Sequence, residues 1–135
     1  MALITWDDGL SVGIRAIDDQ HKGLLQALND LHNAMIQGLA KQATAPLLDK
    51  LVKYTRDHFA AEEAMLRRAN YPNFANHKAK HVELTHQVED YIARFQKGDI
   101  GLTVHLLDFL RNWLTNHIRK VDRDYGPWLN QHGVR

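Results

Sequence analysis

Five histidines and two acidic residues fall at positions where the helical period of the chain would place apolar side chains. They are His21, His58, Glu62, His77, His81, His117 and Asp122. Imidazole nitrogens and carboxylate oxygens are metal ligands, and a carboxylate buried without a partner is costly. The 135-residue chain has nine histidines and no cysteine, so thiolate sites and disulfides are excluded. This pattern predicts a metal site built from imidazole and carboxylate.

The spacing of these residues matches the period of a helix. His58 and Glu62 are separated by four positions, as are His77 and His81. Each pair therefore lies on one face and can reach one metal ion or two adjacent ions. Asp122 follows the preceding candidate by five positions, which is out of phase with an α-helix. We expect a slight unwinding there to turn its carboxylate inward.

Apolar periodicity predicts the elements that must position these side chains. The expected helices span about 19–38, 45–68, 74–97 and 100–121, after an N-terminal arm at 1–17 and before a tail at 122–135. Thr44 would cap the second helix. Because the connections are short, neighbouring helices must run antiparallel. We expect a single all-α domain over 1–135, an up-down-up-down four-helix bundle.

That topology brings all the candidate ligands to one end of the bundle. His32 shares a face with His21 but lies about 16 Å further along the axis, so it cannot join the site. Glu63 should point about 100° away from Glu62 and be solvated. The other histidines are expected to be ordinary surface or packing residues: His86, His105 and His132.

The number of donors favours two metal ions over one. Zinc in a structural site takes four ligands, which leaves several of these candidates unused. Five imidazoles, two bridging carboxylates and one solvent-derived bridge would instead fill all but one of the positions on an octahedral pair. This count assumes bridging and leaves room for one small exogenous ligand. The mixture of imidazole and carboxylate suits iron, so two irons are predicted.

The same residues, taken with their neighbours, resemble the hemerythrin family. The matching stretches are Ile17-Asp18-Asp19-Gln20-His21, His58-Phe59-Ala60-Ala61-Glu62-Glu63, Tyr71-Pro72, His77-x-x-x-His81 and Trp113-Leu114-x-x-His117-Ile118, with Asp122 and Tyr125. The resemblance covers nearly the whole chain. It implies a non-haem di-iron centre, with an oxo or hydroxo bridge, that binds dioxygen reversibly.

The resemblance also implies a role for each candidate ligand. One iron would be held by His77, His81 and His117. The other iron, which keeps the open position, would be held by His21 and His58. The bridging carboxylates would be Glu62 and Asp122. A dry pocket for dioxygen is expected within about one turn of the ligands, and its wall would be formed by Leu24, Leu25, Leu28, Phe59, Trp113 and Ile118.

Ligand chemistry separates the possible functions. A site rich in neutral imidazole, without a spare acid beside it, favours binding dioxygen over cleaving it. We therefore expect a carrier for oxygen transport, storage or delivery, and no enzyme activity. The alternative is an oxygen-reactive di-iron enzyme or sensor, such as an oxidase, a peroxidase or a nitric-oxide-handling protein.

Composition limits the partners and the location. The net charge is only +1, whereas a nucleic-acid binder would show a concentrated basic face. No apolar run is long enough to cross a bilayer, and the N-terminus lacks the features of a signal peptide. We expect a cytoplasmic monomer whose small-molecule partner is dioxygen. The sequence does not identify an oxygen-consuming partner enzyme.

Overall fold

The computed structural model describes residues 4–38, 41–97 and 104–135, and the regular structure within these ranges is helical. The main helices are α1 (Arg15–Ile36), α2 (Lys41–Arg68), α3 (Phe74–Gln96), α4 (Val104–Asn116) and α5 (Arg123–Gln131). A short 3-10 turn at Asp8–Leu10 precedes α1, and a π-helical segment at His117–Asp122 joins α4 to α5.

The first four helices form the predicted all-α four-helix bundle. α1 packs against α2 and α4, and α2 packs against α3. The rings of Tyr91 on α3 and Phe109 on α4 have their centroids 6.0 Å apart, which closes the bundle. None of the helices in the described ranges combines the length and hydropathy that a membrane-crossing segment requires.

A tight turn joins α2 to α3 at the end of the bundle where the candidate ligands lie. Asn70 adopts a left-handed conformation with φ of 53°, which asparagine tolerates better than most residues. The Tyr71 amide then donates to the Leu66 carbonyl at 3.0 Å, satisfying one of the last carbonyls of the helix. The end of α2 and the start of α3 are thereby held side by side.

Two helices begin earlier than the apolar pattern predicts. α1 begins at Arg15 instead of about 19, so Asp18 lies in the first turn of the helix. Its carboxylate accepts hydrogen bonds from the Ser11 hydroxyl at 2.6 Å and the Val12 amide at 2.9 Å, and so fixes the N-terminal arm. α2 begins at Lys41, so Thr44 lies within the helix and is not its cap.

The segment predicted as a tail, 122–135, is largely helical, so the prediction that the last helix ends at about 121 is corrected. α5 runs through Gly126 and Pro127, a pair that ordinarily ends a helix. A Cβ built on Gly126 would lie 2.2 Å from the Val12 carbonyl oxygen. The glycine therefore lets the N-terminal arm pack directly against α5. The predicted start of the fourth helix at 100 lies outside the described residues.

Buried apolar side chains form two separate cores. The proximal core, beside the arm and α5, includes Leu10, Ile14, Ile17, Leu25, Leu66, Ile118, Tyr125 and Leu129. The distal core, in the other half of the bundle, includes Leu24, Leu28, Leu31, Leu48, Leu51, Phe95 and Leu107. Along α2 the candidate ligands His58 and Glu62 lie between the distal core residues Leu48 and Leu51 and the proximal core residue Leu66.

Candidate metal centre

The side chains predicted as ligands meet at one level of the bundle, and all of them are buried. Their exposed fractions range from 0% for His21 and Glu62 to 6% for His117. α1 supplies one of them, α2 and α3 supply two each, and the π-helical segment supplies the last two. The positions fixed by helical period thus converge in space as the topology requires.

The donor atoms fall into two groups that share both carboxylates. In each group, the candidate ligand atoms lie within 4.8 Å of one another. The first group consists of Glu62, His77, His81, His117 and Asp122. The second consists of His21, His58, Glu62 and Asp122. This division is the one that the family resemblance implies for two metal ions.

The Glu62 carboxylate presents a different oxygen to each group. Its Oε1 contacts Nε2 of His77 and lies 3.3 Å from Nε2 of His81. Its Oε2 lies 3.1 Å from Nε2 of His58 and 3.7 Å from Nε2 of His21. The two oxygens of one carboxylate therefore face two different sets of imidazoles.

The Asp122 carboxylate spans the groups in the same way. Its Oδ1 lies 3.0 Å from Nε2 of His117 and 3.1 Å from Nε2 of His77. Its Oδ2 lies 3.1 Å from Nε2 of His21. Both acidic residues can therefore connect two neighbouring cations.

The π-helical segment explains how Asp122 reaches the site. In an α-helix the five-residue separation from His117 would leave the two side chains about 140° apart. The wider π-helical turn, with its i to i+5 hydrogen bonds, brings them to the same face. Arg119 in this segment also pairs with Asp7 of the N-terminal arm at 2.7 Å. The local unwinding predicted from the sequence is present as an ordered element inside a continuous helical path.

Two of the candidate ligand histidines are oriented by hydrogen bonds at their outer nitrogens. Nδ1 of His58 donates to Oε1 of Gln20 at 2.6 Å, and Nδ1 of His81 donates to Oε2 of Glu63 at 3.2 Å. A neutral imidazole that donates from Nδ1 keeps its lone pair on Nε2. That lone pair faces the carboxylates in the centre of the cluster, which is the arrangement of metal-binding histidines.

The close approach of imidazole nitrogens and carboxylate oxygens favours a positive charge between them. Nε2 of His58 and Oε2 of Glu62 lie 3.1 Å apart, a separation that a proton or a metal cation between them would account for. Both nitrogens of His21 and Oδ1 of Asp122 are buried without a hydrogen bond. Protons or metal cations can fill this role. The set of soft-to-intermediate nitrogen donors and bridging oxygens fits a pair of transition-metal ions.

Electrostatics of the cluster also favour bound cations. Burial opposes ionisation of Glu62 and Asp122, but the surrounding histidines hold the pKa of each carboxyl below its ordinary value. Burial likewise opposes charge on His21 and His77, but the two carboxylates outweigh it and raise the pKa of each histidine to about 9. The carboxylates therefore keep their charge and retain protons on neighbouring imidazoles, which metal ions would displace.

Comparison with known proteins identifies the family. The family description of the hemerythrin HHE cation-binding domain matches residues 12–129. The chain belongs to the hemerythrin family. It is 39% identical to the bacteriohemerythrin of Stenotrophomonas maltophilia over 132 residues, covering 98% of this chain and 85% of that protein.

Other hemerythrin relatives agree in sequence and in structure. The bacteriohemerythrin of Methylococcus capsulatus is 38% identical over 133 residues, covering 96% of this chain and 99% of that protein. A crystal structure of wild-type hemerythrin superposes with a TM-score of 0.90 at 36% identity, covering 95% of this chain and 98% of that one. The matched family is described as a cation-binding domain, which agrees with the buried cluster of imidazoles and carboxylates.

Three residues support the hemerythrin ligands without joining either donor group. Glu63 was expected to be solvated, but it accepts the hydrogen bond from His81. Gln20 orients His58, and the buried Tyr125 hydroxyl donates to Oε2 of Glu62 at 3.1 Å. A ligand histidine needs an acceptor for its second nitrogen. This requirement predicts that each ligand histidine has an acceptor partner, but the sequence does not identify the partner.

A cavity of about 60 Å³ lies against the cluster on its distal side. Two of its lining rings stack on candidate ligands. Phe59 lies 3.7 Å from His81, centroid to centroid, and Trp113 lies 4.3 Å from His117. Aliphatic side chains from α1 to α4 form most of the remaining wall, namely Leu24, Leu28, Leu48, Leu51, Val52, Leu84, Val88, Leu110 and Leu114.

The structure brings four of the expected pocket residues to this cavity and two elsewhere. Those that line it are Leu24, Leu28, Phe59 and Trp113. Leu25 and Ile118 pack into the proximal core, because each is next in sequence to a residue on the cavity or cluster side and so points about 100° away. Apolar residues within one turn of a ligand therefore do not all line the cavity, and the predicted wall included too many of them.

The other histidines join neither donor group in the part of the chain described. His32 is half-buried on α1, with its Nδ1 atom buried and without a hydrogen bond. His86 is exposed on α3. His132 is exposed and stacks on Trp128 at 4.6 Å. The side chain of His105 lies outside the described residues.

Proposed function

We propose that this chain binds dioxygen reversibly at a pair of non-haem iron ions, for oxygen transport, storage or delivery. One iron would be held by His77, His81 and His117. The other would be held by His21 and His58. Glu62 and Asp122 would bridge the two ions.

The observation that carries this proposal is the placement of the carboxylate oxygens. Each acid presents one oxygen to the three-histidine group and its other oxygen to the two-histidine group. A mononuclear site would not need a carboxylate that faces two sets of imidazoles. The unequal number of histidines also gives the two ions different surroundings, with fewer protein ligands in the group of His21 and His58.

The chain's own residues prepare the site for a small neutral ligand. When bound, iron supplies the reversible redox chemistry toward dioxygen that the side chains lack. Gln20 and Glu63 fix the imidazole planes through the outer nitrogens of their partners. Phe59 and Trp113 cover the distal side of two ligands and exclude water from it.

The lining of the cavity favours a carrier over an enzyme. Cleaving the bond of dioxygen needs protons delivered to a departing oxygen atom. Among the described residues that line the cavity, the acidic one is Glu89. Its carboxylate lies 2.9 Å from Arg56 and belongs to neither donor group. The hydroxyls of Thr55 and Thr85 are bonded to backbone carbonyls of their own helices. The cavity wall therefore offers no free acid beside the cluster.

One copy of the chain supplies every donor of the proposed centre. All the side chains in the two groups come from this chain, so the site does not need a partner subunit. A monomer can therefore hold the complete site. A cytoplasmic location suits a centre that must keep its iron reduced between cycles of oxygen binding.

Metal analysis and optical cycling together test the proposal. The purified protein should contain about two irons per chain. After chemical reduction without air, adding air should produce a visible charge-transfer band, and vacuum should remove that band over many cycles. Rapid one-way oxidation with release of peroxide would favour an oxidase or sensor. A folded protein that never takes up iron would contradict the assignment.

A further inference from the structure

The cavity beside the metal centre reaches the surface between α2 and α3. Of the residues that line it, Arg56 and Glu89 are the ones classed as exposed, with 59% and 47% of their side chains accessible. A shallow groove on the outside of the bundle shares these two residues and Val52 with the cavity. These residues therefore separate the interior space from solvent.

The seam between α2 and α3 is suited to passage of an apolar ligand. Among the described residues, α2 packs much more extensively on α1 than on α3. The Thr55 hydroxyl donates to the Leu51 carbonyl at 2.7 Å, and the Thr85 hydroxyl donates to the His81 carbonyl at 2.8 Å. These hydroxyls are thus satisfied within their own helices. With half-buried Val88 beside them, the inner wall of the seam is largely apolar.

An ion pair closes this seam at the surface. Nη2 of Arg56 on α2 lies 2.9 Å from Oε1 of Glu89 on α3. Because both side chains are more than a third exposed, solvent screens the pair and its coupling is weak. Exposed side chains change rotamer within nanoseconds, so the pair can open often. Its opposite charges cancel, which leaves no net charge at the opening.

We propose that dioxygen enters through the seam between α2 and α3 and that the Arg56–Glu89 ion pair sets its rate of entry. The identity of the ligand rests on the proposed function. The route itself serves any small apolar ligand, because it is defined by the cavity and its exposed residues. Xenon is a suitable probe, since it enters apolar cavities and has no chemistry with the metal centre.

Removing the ion pair tests the route directly. Glu89→Ala should speed xenon exchange, measured by xenon nuclear magnetic resonance, and dioxygen association, measured by stopped flow. The increase expected from losing one exposed ion pair is about two- to fivefold. Glu83→Ala is the matched control, because Glu83 is exposed on the same helix and does not line the cavity. It should leave both rates at the wild-type value.

Filling the seam tests the same route in the opposite direction. Val88→Phe adds volume at the half-buried wall of the opening. It should slow both xenon exchange and dioxygen association by about tenfold, because protein interiors are close-packed. The dissociation rate of dioxygen should fall with the association rate, since entry and exit share the route.

Xenon and dioxygen measurements together distinguish a failure of the proposed route from a failure of the proposed function. If Glu89→Ala and Val88→Phe both leave xenon exchange unchanged, the seam is not the route. If they change xenon exchange but not dioxygen association in the iron-loaded protein, the ion pair does not set dioxygen entry. If xenon exchange changes as expected and the loaded protein takes up no dioxygen, the route is supported and the proposed function fails.

Discussion

The distal core and the cluster of candidate ligands are buried to the same degree but contain opposite kinds of side chain. In the distal core, Leu31 is 0% exposed and is surrounded by other apolar residues. At the level of the cluster, His21 and Glu62 are also 0% exposed, yet they are polar and lie among other polar groups. Both sets include residues of α1, α2 and α3.

The comparison shows that burial stabilises the distal core and destabilises the cluster of polar side chains. Removing apolar surface from water favours folding by about 25 cal/mol per Å², so the distal core supports itself. Burying two carboxylates costs free energy unless cations compensate it. We therefore interpret the cluster end as the part of the fold whose stability depends on bound metal. If this interpretation is right, changes at the cluster and changes in the distal core should have different effects.

Substituting a bridging carboxylate should have the largest effect. Glu62→Gln removes one charge and weakens donors that face both histidine groups. Metal content should fall from about two ions per chain to near zero. Metal analysis of the purified variant measures this, with the exposed Glu83→Gln as control. Full loading of Glu62→Gln would contradict the bridging assignment.

Removing the metal should loosen the cluster end selectively. A ligand present at about 1,000 times its dissociation constant stabilises the folded state by about 4 kcal/mol, and chelation removes that contribution. Hydrogen exchange should then lose protection first in the segment His117–Asp122. The amides from Leu24 to Leu31 should stay more protected. Equal loss of protection in both regions would mean that the two halves unfold as one unit.

A cavity in the distal core should give the opposite result. Leu31→Ala removes a fully buried side chain and should lower the free energy of unfolding by about 2–5 kcal/mol. Because Leu31 lies in the distal core and not in either donor group, the metal content per chain should not change. Denaturant unfolding and metal analysis on the same preparation check both statements. Substantial metal loss would show that the halves are coupled.

Loss of the acceptor for His81 should weaken metal binding without abolishing it. Glu63 is the partner of Nδ1 of His81, and removing such a partner typically costs about 10- to 100-fold in metal affinity. Glu63→Ala should show this in competition with a chelator, whereas Glu63→Gln, which keeps an acceptor oxygen, should lose less. An affinity equal to that of the wild type would remove Glu63 from the site.

The smallest effect is expected at the histidine that shares α1 with His21 but lies outside the cluster. His32→Ala should leave metal content unchanged and alter the free energy of unfolding by less than about 1 kcal/mol. Its Nδ1 atom is buried without a hydrogen bond, so the substitution removes no favourable polar contact there. Metal analysis beside denaturant unfolding provides the measurement. Loss of metal would show that distance along the helix does not exclude a ligand.

Residue spacing and helix order were sufficient to predict the level along the bundle and the helix face at which each candidate ligand lies. Helical period places His58 with Glu62 and His77 with His81, and short connections bring their helices to one end of the bundle. Even the inward turn of Asp122 could be predicted, because a five-residue separation demands local unwinding. These predictions depend on spacing along single helices and on topology, both of which the order of residues contains.

Tertiary structure alone decided which neighbours complete the site. The contact of Glu63 with His81 depends on the rotation of α2 and α3 about their axes relative to each other. The spacing of residues along either helix does not give that rotation. The close contact of Val12 with Gly126, a residue of the helix that occupies most of the predicted tail, likewise depends on tertiary packing. Leu24 faces the cavity while Leu25 packs in the proximal core. Periodicity fixes the direction of a side chain from its own helix, whereas its partners depend on where the other helices lie.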